Sequence, residues 1–178
     1  MKLKIKKLNP NAKIPTKAHD TDAGIDLYSV EDISIRPGET VKVHTGIVVQ
    51  LEDTYELFKT DLFKHSKFTL VNLLWDRSSL GSKGIHRLAG VLDYSYTGEA
   101  LVCLTNLNTF PLLEATPKIF EYKMSTEQYR DLLQELTYNI KAGDKICQML
   151  VQTVVPVTIE EGEIHDTERG NKGFGSSG

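Results

Sequence analysis

The chain has 178 residues, 40% of them apolar, which is enough to bury one core without metals or disulfides and excludes a disordered polypeptide. Its 24 acidic and 21 basic side chains leave a net charge of −3, which argues against a direct, electrostatic nucleic-acid binder. No stretch approaches the roughly 20 apolar residues of a membrane span, so a soluble, cytoplasmic protein is expected. The N-terminal run, residues 1–8, alternates charged and aliphatic side chains and reads as a strand rather than the apolar core of a signal peptide. Further strands are predicted over 41–44, 46–51, 68–75, 99–105 and 145–159, the last interrupted by Pro156. Turn signals separate them: Asn9-Pro10, Arg36-Pro37-Gly38-Glu39, Tyr96-Thr97-Gly98 and Lys141-Ala142-Gly143-Asp144. Short strands at this spacing predict an all-β sandwich or barrel.

Residues 125–140 break the pattern. Ser125 and Gln128 have the spacing of a capping box, and Tyr129, Leu132, Leu133, Leu136 and Ile140 fall on one helical stripe. The opposite face carries Glu127, Arg130, Asp131, Gln134 and Glu135. The stripe is expected to lie on the chain's own sheet; a partner-binding helix is the alternative. Cys103 and Cys147 sit in apolar runs and read as small buried hydrophobes, with no zinc-ligand spacing. By composition alone, the Gly/Ser-rich residues 168–178 read as a disordered end.

Three segments combine residues able to do phosphate chemistry. In Asp76-Arg77-Ser78-Ser79-Leu80-Gly81-Ser82-Lys83-Gly84, an arginine can pair bidentately with phosphate while hydroxyls and turn N–H groups form an anion nest. In 169–178, glycines let the backbone approach a polyphosphate, Arg169, Ser176 and Ser177 supply donors, and Phe174 offers a flat face to a base. In Gly90-Val91-Leu92-Asp93-Tyr94-Ser95-Tyr96-Thr97-Gly98-Glu99, an acid ends an apolar strand. It is either a turn aspartate bonded to nearby amides or a general base beside a phosphate site.

Five segments, in order along the chain, resemble the motifs of the trimeric dUTPase family. They are Asp22-Ala23-Gly24-Ile25-Asp26-Leu27-Tyr28-Ser29; Arg77-Ser78-Ser79-Leu80 through Lys83-Gly84-Ile85; Gly90-Val91-Leu92-Asp93 with Tyr96 and Gly98-Glu99; Gly143-Asp144-Lys145-Ile146-Cys147-Gln148; and Arg169-Gly170 through Gly173-Phe174-Gly175-Ser176-Ser177-Gly178. The resemblance implies a jelly-roll-like fold with a helical insert, one domain over 1–178, a homotrimer, and hydrolysis of dUTP to dUMP and pyrophosphate. That reaction limits uracil incorporation into DNA and supplies dUMP for thymidylate synthesis. The resemblance gives Asp93 the activation of the attacking water and Tyr96 the packing against deoxyribose. Arg77, Ser78, Ser79 and Gln148 hold phosphates, and Asp26 orients a phosphate-binding loop from behind. The backbone of Gly90, Val91 and Leu92 takes the uracil edge. Phe174 stacks on uracil, while Arg169, Gly175, Ser176 and Ser177 belong to a C-terminal lid over 168–178. Magnesium is implied as the cofactor, held by phosphates and water rather than by protein ligands.

Ser95 and Asp76 depart from the family pattern, and Arg87 has no evident placement; Asp76 is expected to weaken phosphate binding or to pair with Arg77. Residues 52–67 and 107–139 exceed the family's common core. An insert in the second position resembles bacteriophage members, which implies a regulatory protein partner and a host-cell cytoplasm. Two other readings compete. A dCTP deaminase on the same fold requires a glutamate where Cys103 stands. A purely regulatory nucleotide-binding protein has no need of an intact Asp93.

Overall fold

The computed structural model describes residues 2–52, 69–120, 124–155, 157–168 and 170. Eleven strands and three helices run in the order β1 (Lys2–Lys7), β2 (Ile25–Tyr28), β3 (Ile33–Ile35), β4 (Thr40–Val43), β5 (Ile47–Glu52), β6 (Thr69–Trp75), α1 (Ser78–Gly81), β7 (Ile85–Leu88), β8 (Val91–Asp93), β9 (Val102–Asn106), α2 (Phe110–Phe120), α3 (Thr126–Leu136), β10 (Tyr138–Ile140) and β11 (Lys145–Val154). All described strand pairs are antiparallel. The larger sheets have the orders β2-β11-β6-β8 and β4-β9-β7, and the pairs β1-β5 and β3-β10 flank them. Neighbours in space are mostly not neighbours in sequence, as in jelly-roll-like architectures. One apolar core joins the sheets, with Leu27, Ile35, Val43, Val102, Cys147 and Met149 fully shielded from water. Burial pushes the Cys147 thiol up to about 12, and both cysteines are free. Among the described residues, no helix is long and apolar enough to cross a membrane.

The strand expectations are met with shifted ends. β9 starts at Val102 rather than at Glu99, which makes only an isolated bridge to Val48. β11 stops at Val154, two residues before Pro156, and not at Ile159. Proline removes a ladder donor and restricts the residue before it.

The helical region differs more. The capping box is present in both directions: Gln128 N–H donates to Ser125 Oγ (3.1 Å) and Ser125 N–H to Gln128 Oε1 (2.8 Å). However, α3 ends at Leu136, and Tyr138–Ile140 pair with β3 as a strand. Ile140 therefore leaves the helical stripe and enters the core, facing Ile33 in register. A second helix, α2, precedes α3 and packs against it. Pro111 and Pro117 hide α2 in the sequence, yet Pro111 lies in the first turn, where its missing N–H is not needed. The stripe of Tyr129, Leu132, Leu133 and Leu136 is half-buried, with α2 rather than a sheet as its main partner, while Glu127, Arg130, Asp131, Gln134 and Glu135 face solvent.

Candidate active site

Pairing of β2 with β11 places Asp26 opposite Gln148, and pairing of β11 with β6 places Gln148 opposite Trp75. The chain leaves β6 through Asp76 and enters α1 at Ser78, so Arg77 comes over the same sheet end. The result is a polar cleft of about 370 Å³ whose walls include Asp22, Asp26, Arg77, Ser78, Lys145 and Gln148. Asp26 is 8% exposed. Its Oδ1 lies 3.3 Å from Arg77 Nε and its Oδ2 2.7 Å from Lys145 Nζ. Isolated burial of that carboxylate is costly, and the two cations offset it. With Asp22 also in the walls the formal charges of the cleft balance, and both cations stand in it together with Ser78. Gln148 Nε2 donates to the Asp76 carbonyl (3.0 Å), which fixes its carboxamide. Gly24 stands against that carboxamide so closely that a Cβ would overlap Gln148 Oε1.

Asp76 does not pair with Arg77. Its Oδ1 accepts the Arg87 N–H (2.7 Å) and its Oδ2 meets His86 Nδ1 (3.0 Å), so its charge is directed to β7. Ser79 lines a neighbouring cavity of about 440 Å³ that shares Arg77 and Lys145 with the cleft and has Lys13, Lys83 and Tyr138 in its walls.

The second part of the site lies on β8. Asp93 ends this edge strand and is exposed. It borders a cavity of about 530 Å³ with Leu70, Val71, Val91, Tyr94 and Ser95. Leu74 N–H donates to the Gly90 carbonyl (2.7 Å), so alternation along the ladder turns the Val91 carbonyl toward the free edge. Leu92 packs on the core. Tyr96 N–H donates to the Asp93 carbonyl (3.0 Å), closing the turn, and its hydroxyl donates to the Glu99 carbonyl (3.1 Å). Glu99 anchors the turn to β4 and β5: Oε1 accepts the Gly46 N–H (2.7 Å) and Oε2 meets His44 Nδ1 (2.9 Å). The hydrogen bond to Glu99 raises the His44 pKa above its ordinary value, against a smaller opposing effect of burial.

The two parts do not meet within one chain. Across β6, Asp93 faces Val71 on one side and Gln148 faces Trp75 on the other. Four residues along a strand and two strand spacings put the Asp93 and Gln148 backbones roughly 16 Å apart. One phosphorus atom cannot touch both.

Of the anticipated residues, Asp26, Arg77, Ser78 and Gln148 converge, Ser79 lines an adjoining cavity that shares Arg77 with them, and Gly90, Val91, Asp93 and Tyr96 form a separate group. Arg169, Phe174, Gly175, Ser176 and Ser177 lie outside the described residues, as do 53–67 of the first long segment. Lys145 was not anticipated as part of the site. Its charge just ahead of the apolar Ile146 and Cys147 could have marked it as the outward residue at the start of β11, but its partner Asp26 is 119 residues away. Among the described residues, no three His, Cys, Asp or Glu side chains cluster as a metal cage. The cleft's Asp26 already meets two cations, so its donor set suits phosphate oxygens. Such a cleft accommodates magnesium carried on phosphates and water.

The family model for dUTPase matches residues 10–112 and 133–178. The deoxyuridine 5'-triphosphate nucleotidohydrolase of Mycolicibacterium gilvum is 35% identical over 99% of this chain and 94% of its own length. The Staphylococcus bacteriophage 80alpha dUTPase, solved with dUPNHPP in work on phage dUTPases that control transfer of virulence genes, is 25% identical with a TM-score of 0.73, covering 99% of this chain and 98% of its own. A point mutant of the phage phi11 dUTPase of S. aureus, whose structure reveals the coordination of a structural Mg(II) ion, shares the fold at 22% identity and a TM-score of 0.62, over 94% of this chain and 99% of its own.

Proposed function

The chain belongs to the dUTPase family and hydrolyses dUTP to dUMP and pyrophosphate, and on that premise we propose how its residues divide the work. The observation that carries the reading is the separation of Asp93 from the Arg77–Asp26–Lys145 cleft. The family is trimeric, and a site shared between copies joins Asp93 of one chain to the phosphate cleft of another. Two features of the surface support this. The sheet face around Asp93 leaves Trp75 51% and Val91 63% exposed, an apolar area that needs cover. Val155, Val157 and Ile159 are all exposed, without a strand to pair with among the described residues.

In the assembled site, Asp93 accepts a proton from water as the water oxygen attacks the α-phosphorus. The bond from that phosphorus to the β-bridging oxygen breaks, and pyrophosphate leaves with its charge held by Arg77, Ser78 and Gln148. Asp26 and Lys145 fix Arg77 so that little reorganisation accompanies the step. Ser79, in the adjoining cavity that shares Arg77 and Lys145 with the cleft, holds phosphate beside Ser78. The Tyr96 ring packs on deoxyribose, and the hairpin backbone at Gly90, Val91 and Leu92 takes uracil. Residues 168–178 act as a lid, with Arg169, Gly175, Ser176 and Ser177 over the γ-phosphate and Phe174 on the base. dUTPases are generally magnesium-dependent; an ion borne by the phosphates and water would be positioned through the residues that hold the phosphates, Arg77, Ser78 and Gln148, and would supply charge neutralisation there.

The chain forms one domain over 1–178, acting in the cytoplasm to limit uracil in DNA and to supply dUMP. The family match passes over 113–132, which supports an insert centred on α2 and α3. The control of virulence-gene transfer described for the phage 80alpha enzyme supports a regulatory partner docking on these helices. Pyrophosphate release from dUTP, dCTP, dTTP and UTP, with and without magnesium, tests the reading. Selective, magnesium-dependent turnover of dUTP is the expected result, and turnover of all four at similar rates overturns it.

A further inference from the structure

We propose that Arg87 is a specificity residue that donates to the 4-oxo group of the base. The inference rests on the dUTP-hydrolysing reading above. Arg87 is held on β7 by its backbone N–H, which donates to Asp76 Oδ1 (2.7 Å), and its side chain lies on the same strand face as the buried Ile85. The guanidinium carbon stands 6.0 Å from the centroid of the Trp75 ring. Its Nε is buried and has no hydrogen-bond partner among the described residues. The Nη1 end reaches Gly90, where a Cβ would overlap it and would also come within 2.9 Å of the Leu74 carbonyl. Gly90 has φ +141° and the preceding Ala89 has φ +61°, a conformation that an alanine adopts only at a cost. The turn is thus shaped so that the guanidinium can come up beside it.

This end of Arg87 enters a cavity of about 420 Å³ with Leu73, Trp75, Ala89, Gly90 and Val91 in its walls, and Arg87 is the one charged residue lining it among those described. The cavity shares Leu73 and Val91 with the cavity of Asp93. Gly90 precedes Asp93 by three strand residues, about 10 Å, a separation suited to a nucleotide with its base at Gly90 and its α-phosphate at Asp93. A guanidinium can only donate. The oxygen at position 4 of uracil accepts, whereas the amino group at position 4 of cytosine donates, so cytosine sets donor against donor in a mostly apolar cavity. Sites built around such a group reject the analogue that leaves it unpaired.

The Arg87→Met variant keeps the apolar stem and removes every donor. It is expected to lower kcat/KM for dUTP by about 10- to 100-fold, the range for a hydrogen bond to a charged group, mainly through KM. It is also expected to narrow the dUTP-to-dCTP ratio by a similar factor, with Arg87→Lys falling between. A variant-independent measurement uses the wild-type enzyme with 4-thio-dUTP, whose sulfur is a weak acceptor; a loss of about tenfold or more relative to dUTP is expected. An unchanged dUTP-to-dCTP ratio in a folded Arg87→Met enzyme, or equal use of dUTP and 4-thio-dUTP by wild type, overturns the proposal. Absence of dUTP hydrolysis by wild type would instead overturn the functional reading beneath it.

Discussion

Lys145 Nζ lies 2.7 Å from Asp26 Oδ2, a contact between residues 119 positions apart that only the β2–β11 pairing creates. With Arg77 on the other oxygen, the carboxylate holds two cations at the mouth of the cleft. Asp26→Asn keeps the shape and removes the charge. The two cationic side chains are 25% and 36% exposed, so solvent screens the loss, and a destabilisation of about 1 kcal/mol is expected. The KM for dUTP should rise about tenfold as Arg77 loses its orientation. Thermal unfolding and steady-state kinetics check both, and an unchanged KM would remove Asp26 from its positioning role.

The shared site predicts complementation. Asp93→Asn is expected to lose about 10²-fold or more in kcat while still binding nucleotide, and Arg77→Ala to lose phosphate binding. Each alone is nearly inactive. Unfolded together in equal amounts and refolded, they should recover about a quarter of wild-type activity, the statistical share of sites taking both intact residues from different chains. No recovery would place the whole site within one chain.

His44 carries a pH prediction. Its folded pKa is raised, above all by the hydrogen bond to Glu99. A raised value means that the pair's stabilisation is complete below the unfolded value of 6.5 and is lost as pH rises through the folded one. The melting temperature of wild type should therefore exceed that of His44→Gln most on the acid side of 6.5, and the gap should close on the alkaline side. A gap independent of pH would show that the contact does not titrate.

Deletions should separate α2 and α3 from β10. Replacing residues 110–134 with a short Gly/Ser linker should leave dUTP hydrolysis within a few-fold of wild type and expose a little core. Extending the replacement to 139 removes most of β10 and also the Leu136 carbonyl that accepts from buried Asn106 Nδ2 (2.8 Å). That longer deletion should abolish folding, as seen by circular dichroism. Full stability of the longer deletion would deny β10 its structural part.

Truncation from Gly170 onward is expected to spare the melting temperature and the trimer while reducing kcat/KM by about 10²-fold or more, since water exclusion and γ-phosphate contacts go with the lid. Full activity of the truncated enzyme would exclude a lid.

Much of this protein is local and therefore legible in its sequence. Alternation over 1–8 marks β1, Ser125 and Gln128 mark the start of α3, and the grouped glycines, hydroxyls and arginines mark the phosphate-binding turn. The proposal of Asp93, Arg77 and Asp26 as chemistry-bearing residues also rests on short segments. Tertiary structure alone decided which of them meet. The sheet order β2-β11-β6-β8 brings Lys145 to Asp26 and keeps Asp93 away from Gln148. It turns Asp76 from Arg77 toward His86. It also takes Ile140 out of a plausible helical stripe, because burial opposite Ile33 in a strand outweighs the weak preference of one more helical residue. Propensity and periodicity act over a few residues, whereas a cleft such as that of Asp26, Arg77 and Lys145 depends on pairings between strands more than a hundred residues apart.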